Sequence, residues 1–166
     1  MTKTEERESQ SNLLAVIRVR GRVDVRPEVQ HTLALLRLHK SNHCVLVRND
    51  AVTKGMLQVV KDWITWGEIN KDTLEELLKK RAYLPGGKRG LSEEDVKETT
   101  SYKNTDDFVE SLLATKVTLK EIKGLKPVFR LNPPRKGYSG IKRQYTKGGA
   151  LGYRGSAINT LLHQMI

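Results

Sequence analysis

The 166-residue chain has a single cysteine, Cys44, so no disulfide can close within it and the fold must be held by burial alone. Cys44 lies among Val45, Leu46 and Val47, which marks a buried strand thiol rather than a nucleophile. Long apolar runs are also missing. None approaches the roughly 18 residues of a membrane-spanning helix, and the opening MTKTEERESQSN lacks the apolar centre of a signal peptide. A soluble, cytoplasmic protein with no membrane partner is expected.

Recognisable reaction chemistry is equally scarce. Of the four histidines, His39 and His43 stand near Cys44, but no His-Glu-x-x-His, paired Cys-x-x-Cys or acidic cluster accompanies them to make a metal site. His43 reads as a turn residue at a strand start and His39 as the end of a helix, where positive charge is favourable. Gly148 and Gly149 are followed by Ala150 and Leu151 rather than Lys and Ser, so there is no P-loop, and no nucleophile elbow occurs. Asp24 and Asp50 have no visible acid–base partner and read as turn residues. No enzyme, cofactor or small-molecule substrate is expected.

What the chain does have is positive charge. Thirty Lys and Arg against nineteen Asp and Glu give a net charge of +11, which calls for a polyanionic partner. That charge is local: residues 120–154 hold ten cations and one acid, Glu121, a surplus of +9. The same window carries six glycines between 137 and 155, Pro133 and Pro134, and the tyrosines Tyr138, Tyr145 and Tyr153. Such a segment cannot build its own core, and self-repulsion would keep it mobile until a polyanion ordered it. Glycine permits close backbone approach to phosphates, Arg135, Arg143 and their neighbours can grip them, and tyrosines among cations can stack on unpaired bases. RNA is favoured over a lipid surface. Arg18, Arg20 and Arg22 form a second, weaker candidate stripe on a strand.

Residues 1–12 read as a disordered tail and 13–70 as a β-α-β-α-β core. In that core LLAVIRVR alternates, with Ala15, Ile17 and Val19 on one face and Arg18 and Arg20 on the other. Pro27 opens a helix to about 38 carrying Val29, Leu33 and Leu36; Cys44 to Val47 form a buried strand; Thr53 could cap a helix with a stripe of Val52, Met56, Val59 or Val60, and Trp63; Ile64 to Ile69 form a third strand. Residues 71–119 read as a helical extension. There Asp72 caps one helix, Ser92 with Glu93, Glu94 and Asp95 starts another, Asp106 or Asp107 opens a third, and Thr118 a short fourth. LPGGKRG at 84–90 is a loop, 120–154 the basic segment, and 155–166 a helix capped by Ser156.

Two separated motifs carry a family resemblance. Thr32, Leu33, Leu36, Leu38, Lys40, His43 and Val45, followed by Met56, Leu57, Val60 and Ile64, resemble the signature of the large-subunit ribosomal protein family numbered thirty. FRLNPPRKG at 129–137 and KGGALG at 147–152 resemble the C-terminal extension of its archaeal members and their eukaryotic counterparts. The short N-terminal tail is unlike the long basic one of the eukaryotic relatives and points to an archaeal type; Trp63 departs from the family pattern and touches packing only.

The resemblance implies an α+β fold: a small three-stranded antiparallel sheet with two packed helices, distantly ferredoxin-like, plus a helical and extended basic C-terminal elaboration. It further implies a structural ribosomal constituent that contacts large-subunit ribosomal RNA and neighbouring large-subunit proteins. The family's RNA-facing positions would fall on Arg48, Lys54, Arg130, Arg135, Lys136, Lys142, Lys147 and Arg154; with the arginine stripe, Arg143, Tyr138 and Tyr145, these are the candidate RNA-binding residues. A free-standing RNA-binding or chaperone protein would use the same residues. A protein scaffold built on Leu119, Ile122 and the last helix is a third possibility.

Overall fold

A computed structural model describes residues 12–84, 87–99, 102, 105–119 and 124–166. The expected tail, apart from Asn12, lies outside these residues, as do Lys120 to Lys123.

The core is a single sheet of order β4-β2-β1-β3-β5. β1 (Leu13–Arg18) occupies the centre, antiparallel to both β2 (His43–Arg48) and β3 (Ile64–Glu68). These are the three expected strands, yet the sheet is five-stranded and mixed. β4 (Val128–Arg130) adds antiparallel to β2, and β5 (Gly152–Tyr153) adds parallel to β3. Both edge strands come from the basic segment. They pair the outer backbone groups of β2 and β3, which would otherwise be open edges. Runs of three and two residues are too short to show a period.

Central position also overturns the expected one-sided burial of β1, whose residues are buried on both faces. Leu13, Ala15 and Ile17 share a cluster with Cys44, Phe129 and residues of four helices of the elaboration; Leu14 and Val16 pack with Val45 and Trp66 under the first two helices. Cys44 is fully buried, and burial pushes its thiol up to about 12, so it is inert at neutral pH.

The first helix, α1 (Pro27–Leu35), has Pro at its start and ends earlier than its apolar spacing suggests, because Arg37 takes a left-handed φ of 60°. In α2 (Ala51–Val59), Asp50 rather than Thr53 precedes the helix. Its buried stripe is Leu57 with Val60 and part of Met56, while Val52 and Val59 remain 76% and 51% exposed. Apolar residues recur around more than half of this short helix, and only contact with the sheet selects the face.

On the opposite sheet face lie α3 (Lys71–Arg81), α4 (Glu93–Thr99), α5 (Thr105–Leu113) and α6 (Ala157–Met165). Asn70, not Asp72, is the cap position of α3, and its N–H donates to Asn159 Oδ1 at 2.9 Å; Asp72 stands in the first turn. Asn159 also donates to the carbonyls of Glu68 and Ser156, stitching α6 to the end of β3. Ser156 occupies the cap position of α6 without making a side-chain cap bond. Ser92 does start α4 as expected: its N–H and hydroxyl both donate to Asp95 Oδ2, and with Lys88 they hold that carboxyl at about 2.

Candidate nucleic-acid interface

Strand direction sorts the cations. β1 ends, and β2 and β3 begin, at one end of the sheet, where Arg18, His43, Ile64 and Arg130 meet through the pairs Arg18↔Ile64 and His43↔Arg130. Arg48, at the far end of β2, is five residue steps from His43, about 17 Å at strand rise. The charge around His43 is dense. Burial first, then the positive charge of Arg130, His39, Lys40 and Arg18, lowers its imidazole pKa from the ordinary value, so it stays neutral at pH 7. Its Nδ1 is buried without a hydrogen-bond partner.

The basic segment docks on this same end. Ala150 and Leu151 are buried against Val19, with Tyr138 beside them. The backbone N–H groups of Asn132 and Arg135 donate to the carbonyls of Met165 and Gln164, laying the segment along the end of α6. It has no core of its own, as composition indicates, but it borrows one from β1 and α6. The KGGALG motif makes the turn: Gly148 takes a left-handed φ of 75° after the 3-10 turn Tyr145–Lys147, and a Cβ on Gly149 would collide with the Arg143 carbonyl. Ala150 and Leu151 N–H both donate to that carbonyl.

Three of the residues expected to contact RNA have their polar groups bonded within the fold. Arg18 is only 4% exposed, and its guanidinium donates to the carbonyls of Leu38 at 2.7 Å, Arg20 at 2.9 Å and Gly21 at 2.6 Å. It closes the loop after β1 and does not face solvent. Arg154 donates through Nε to Thr65 Oγ1 and through a terminal nitrogen to the Ala150 carbonyl, both at 2.9 Å, while its plane covers the Tyr145 ring at 4.7 Å. Tyr138 is not an open stacking platform: its hydroxyl donates to Asn42 Oδ1 at 2.7 Å, and burial pushes the phenol far above its usual range. In all three cases a polar tip reaches back to groups distant in sequence, which alternation and composition do not reveal.

The remaining cations at this end are open. Arg22, Lys40, Arg130, Arg135, Lys136, Lys142, Arg143 and Lys147 are exposed, and none is in an ion pair among the described residues. Arg22 is steadied by donation to the His39 carbonyl, and Arg20 lies over Trp63 at 4.4 Å. Arg48 and Lys54 are not part of this group, since they follow the strands to the opposite end. Sequence reasoning named Arg130 but not the cluster it belongs to: Arg89, Lys126 and Arg130 surround the Tyr83 ring at 5.7, 5.4 and 5.4 Å. Its sequence signals were the pair of cations in the 84–90 loop and the place of Lys126 and Arg130 in the basic segment.

Among the described residues no group of three or more His, Cys, Asp or Glu could hold a metal, and no helix is long and apolar enough to cross a membrane. The site offers a positively charged end whose backbone is tied to β1 and α6 by hydrogen bonds and apolar contacts, a surface suited to phosphates.

Comparison with known proteins places this arrangement in context. The family model described as Ribosomal protein L30p/L7e matches residues 14–64. A Thermoplasma volcanium protein named Large ribosomal subunit protein uL30 is 51% identical over 154 residues, covering 93% of each chain. Proteins of the same name from Methanocella arvoryzae and Archaeoglobus fulgidus are 47% and 48% identical over 153 residues, covering 92% of this chain and 99% of each relative.

Proposed function

The chain belongs to the Ribosomal protein L30p/L7e family, and from that premise we infer that it is a structural constituent of the large ribosomal subunit which binds ribosomal RNA and does no catalysis. It works in the cytoplasmic ribosome, alongside neighbouring large-subunit proteins. The observation that carries the siting of the contact is the gathering of eight exposed cations, Arg22, Lys40, Arg130, Arg135, Lys136, Lys142, Arg143 and Lys147, at one end of the sheet, outside any ion pair among the described residues. Like charges brought together without counter-ions favour an anionic partner. The division of labour that fits is a 13–70 core carrying a 71–119 helical layer, a 120–154 segment that supplies most of the phosphate contacts, and a terminal helix that anchors that segment.

Sedimentation of a source-organism lysate through a high-salt sucrose gradient tests this, with the chain quantified by mass spectrometry in each fraction. One copy per large subunit is expected. Release into the light fractions, under salt that leaves other core proteins bound, would instead identify a free-standing RNA-binding or chaperone protein.

Arg135 and Lys136 precede Gly137 in the exposed turn, where Lys136 adopts a φ of 71°. The double variant Arg135→Ala, Lys136→Ala is expected to weaken binding alike across RNA sequences and to lower the salt slope by about two, because phosphate contacts carry position and not sequence. Binding isotherms on several RNAs at four salt concentrations check it; loss confined to one sequence would contradict the assignment.

A further inference from the structure

Beside the basic end, a groove runs between α2 and the β3–β5 edge. Two adjoining cavities of about 250 and 410 Å³ form it, and Gln58, Trp66 and Tyr153 border both. Lys54, Gln58 and Lys61 are spaced four and three apart, so they share one face along α2 and the turn after it and make one wall. Tyr153 and Tyr145, 50% and 40% exposed, border the other side. Trp66, 8% exposed, lies between, its ring tilted 50° to Tyr153 with centroids 6.3 Å apart. The groove thus leads from the 3-10 turn at the basic end toward the opposite end, where Lys54 stands.

One residue is out of place in a groove meant for phosphates alone. Glu68 is a carboxylate in no ion pair among the described residues. Its Oε1 accepts from the Tyr153 hydroxyl at 2.7 Å, which fixes the ring, while Oε2 has no hydrogen-bond partner among the described residues. A carboxylate oxygen repels phosphate and accepts from N–H donors. Cytosine, adenine and guanine carry an exocyclic amino group; uracil carries none, and its N3–H donor lies between two carbonyl oxygens that a carboxylate repels.

We propose that this groove holds an unpaired stretch of RNA, with bases against Tyr153 and the face of Tyr145 that Arg154 leaves open, backbone phosphates toward Lys54 and Lys61, and an exocyclic amino group donated to Glu68. Exposed rings accept any base by stacking, and the carboxylate then selects against uracil. This rests on the chain being a ribosomal-RNA binder and adds that it grips single-stranded RNA along a groove that leads away from the basic end.

The test titrates the full chain with fluorescent hexamers of cytidine and of uridine, pyrimidines of equal size. Cytidine hexamer should bind about tenfold more tightly. Glu68→Gln, whose amide both accepts and donates, should still hold Tyr153 but bring the two hexamers within about twofold. Tyr153→Leu should weaken both about tenfold, or about 1.4 kcal/mol. Equal binding of the two hexamers, with Tyr153→Leu unchanged, would overturn the proposal and leave the groove to an extended peptide of a neighbouring protein. The Arg135→Ala, Lys136→Ala variant separates the two ideas. If it still weakens ribosomal RNA binding while the hexamers show no preference, the groove assignment fails and the ribosomal reading stands; if wild-type chain binds neither hexamers nor ribosomal RNA, both fail.

Discussion

Raising monovalent salt from 50 to 200 mM is expected to lower the affinity of the purified chain for large-subunit ribosomal RNA by about three to five decades. The magnitude follows from what is open and what is not. Eight cations at one end of the sheet are exposed and outside any ion pair among the described residues. Each phosphate neutralised releases condensed counter-ions, with a logarithmic slope of roughly −0.7 to −0.9 per contact, so eight contacts give a slope of about −6 to −7. Arg18 and Arg154 are excluded from that tally because their guanidinium nitrogens already hold backbone carbonyls and Thr65. The ion pairs Lys79–Glu75 and Lys80–Glu76 on α3 are internally neutral and add nothing to it. Filter binding or anisotropy across a salt series reads the slope directly. A slope shallower than about −3 would mean that most of these cations face solvent or protein in the complex.

Arg18→Ala should destabilise the fold by about 3 to 5 kcal/mol while leaving the RNA affinity of the remaining folded protein within about twofold. The substitution strands three carbonyls, those of Leu38, Arg20 and Gly21, and one of these bonds is fully buried. It also empties the space of a long side chain that is 4% exposed. Arg18→Lys should recover less than half the loss, because an ammonium group is a point charge and cannot present three donors in a planar fork. Urea denaturation followed by circular dichroism measures the first quantity, and binding at 10 °C the second. Loss of affinity with stability intact would return Arg18 to the RNA-facing stripe in which alternation alone places it.

The difference between Arg18 and Arg22 shows where sequence information runs out. Both are arginines at alternating positions near the end of a strand, and nothing local tells them apart. What separates them is the loop of residues 38–42, which folds back over β1 so that the Leu38 carbonyl and the Asn42 N–H meet it. Tyr138 and Tyr153 differ for the same reason. One hydroxyl reaches Asn42 and is enclosed, the other reaches Glu68 and leaves its ring half open. Tyr83 gave no signal at all, since its three cations come from the 84–90 loop, the stretch before β4, and β4 itself.

By itself the sequence determined the properties that depend on local order and totals. It set the core strands and helices through apolar periods long enough to read in LLAVIR, HCVLVR and the helix stripes, the buried fate of Cys44, the concentration of charge in residues 120–154, and, through two motifs, the family and with it the α+β class. Tertiary structure alone decided how far the sheet extends, which face of α2 is buried, which arginines are braces and which are open, and that the basic segment docks beside β1. The physical reason is range. Periodicity and composition report the interactions of residues a few places apart, whereas an edge strand of two or three residues, or a guanidinium gripping carbonyls, is stabilised by partners up to about ninety positions away, as Arg154 is by Thr65.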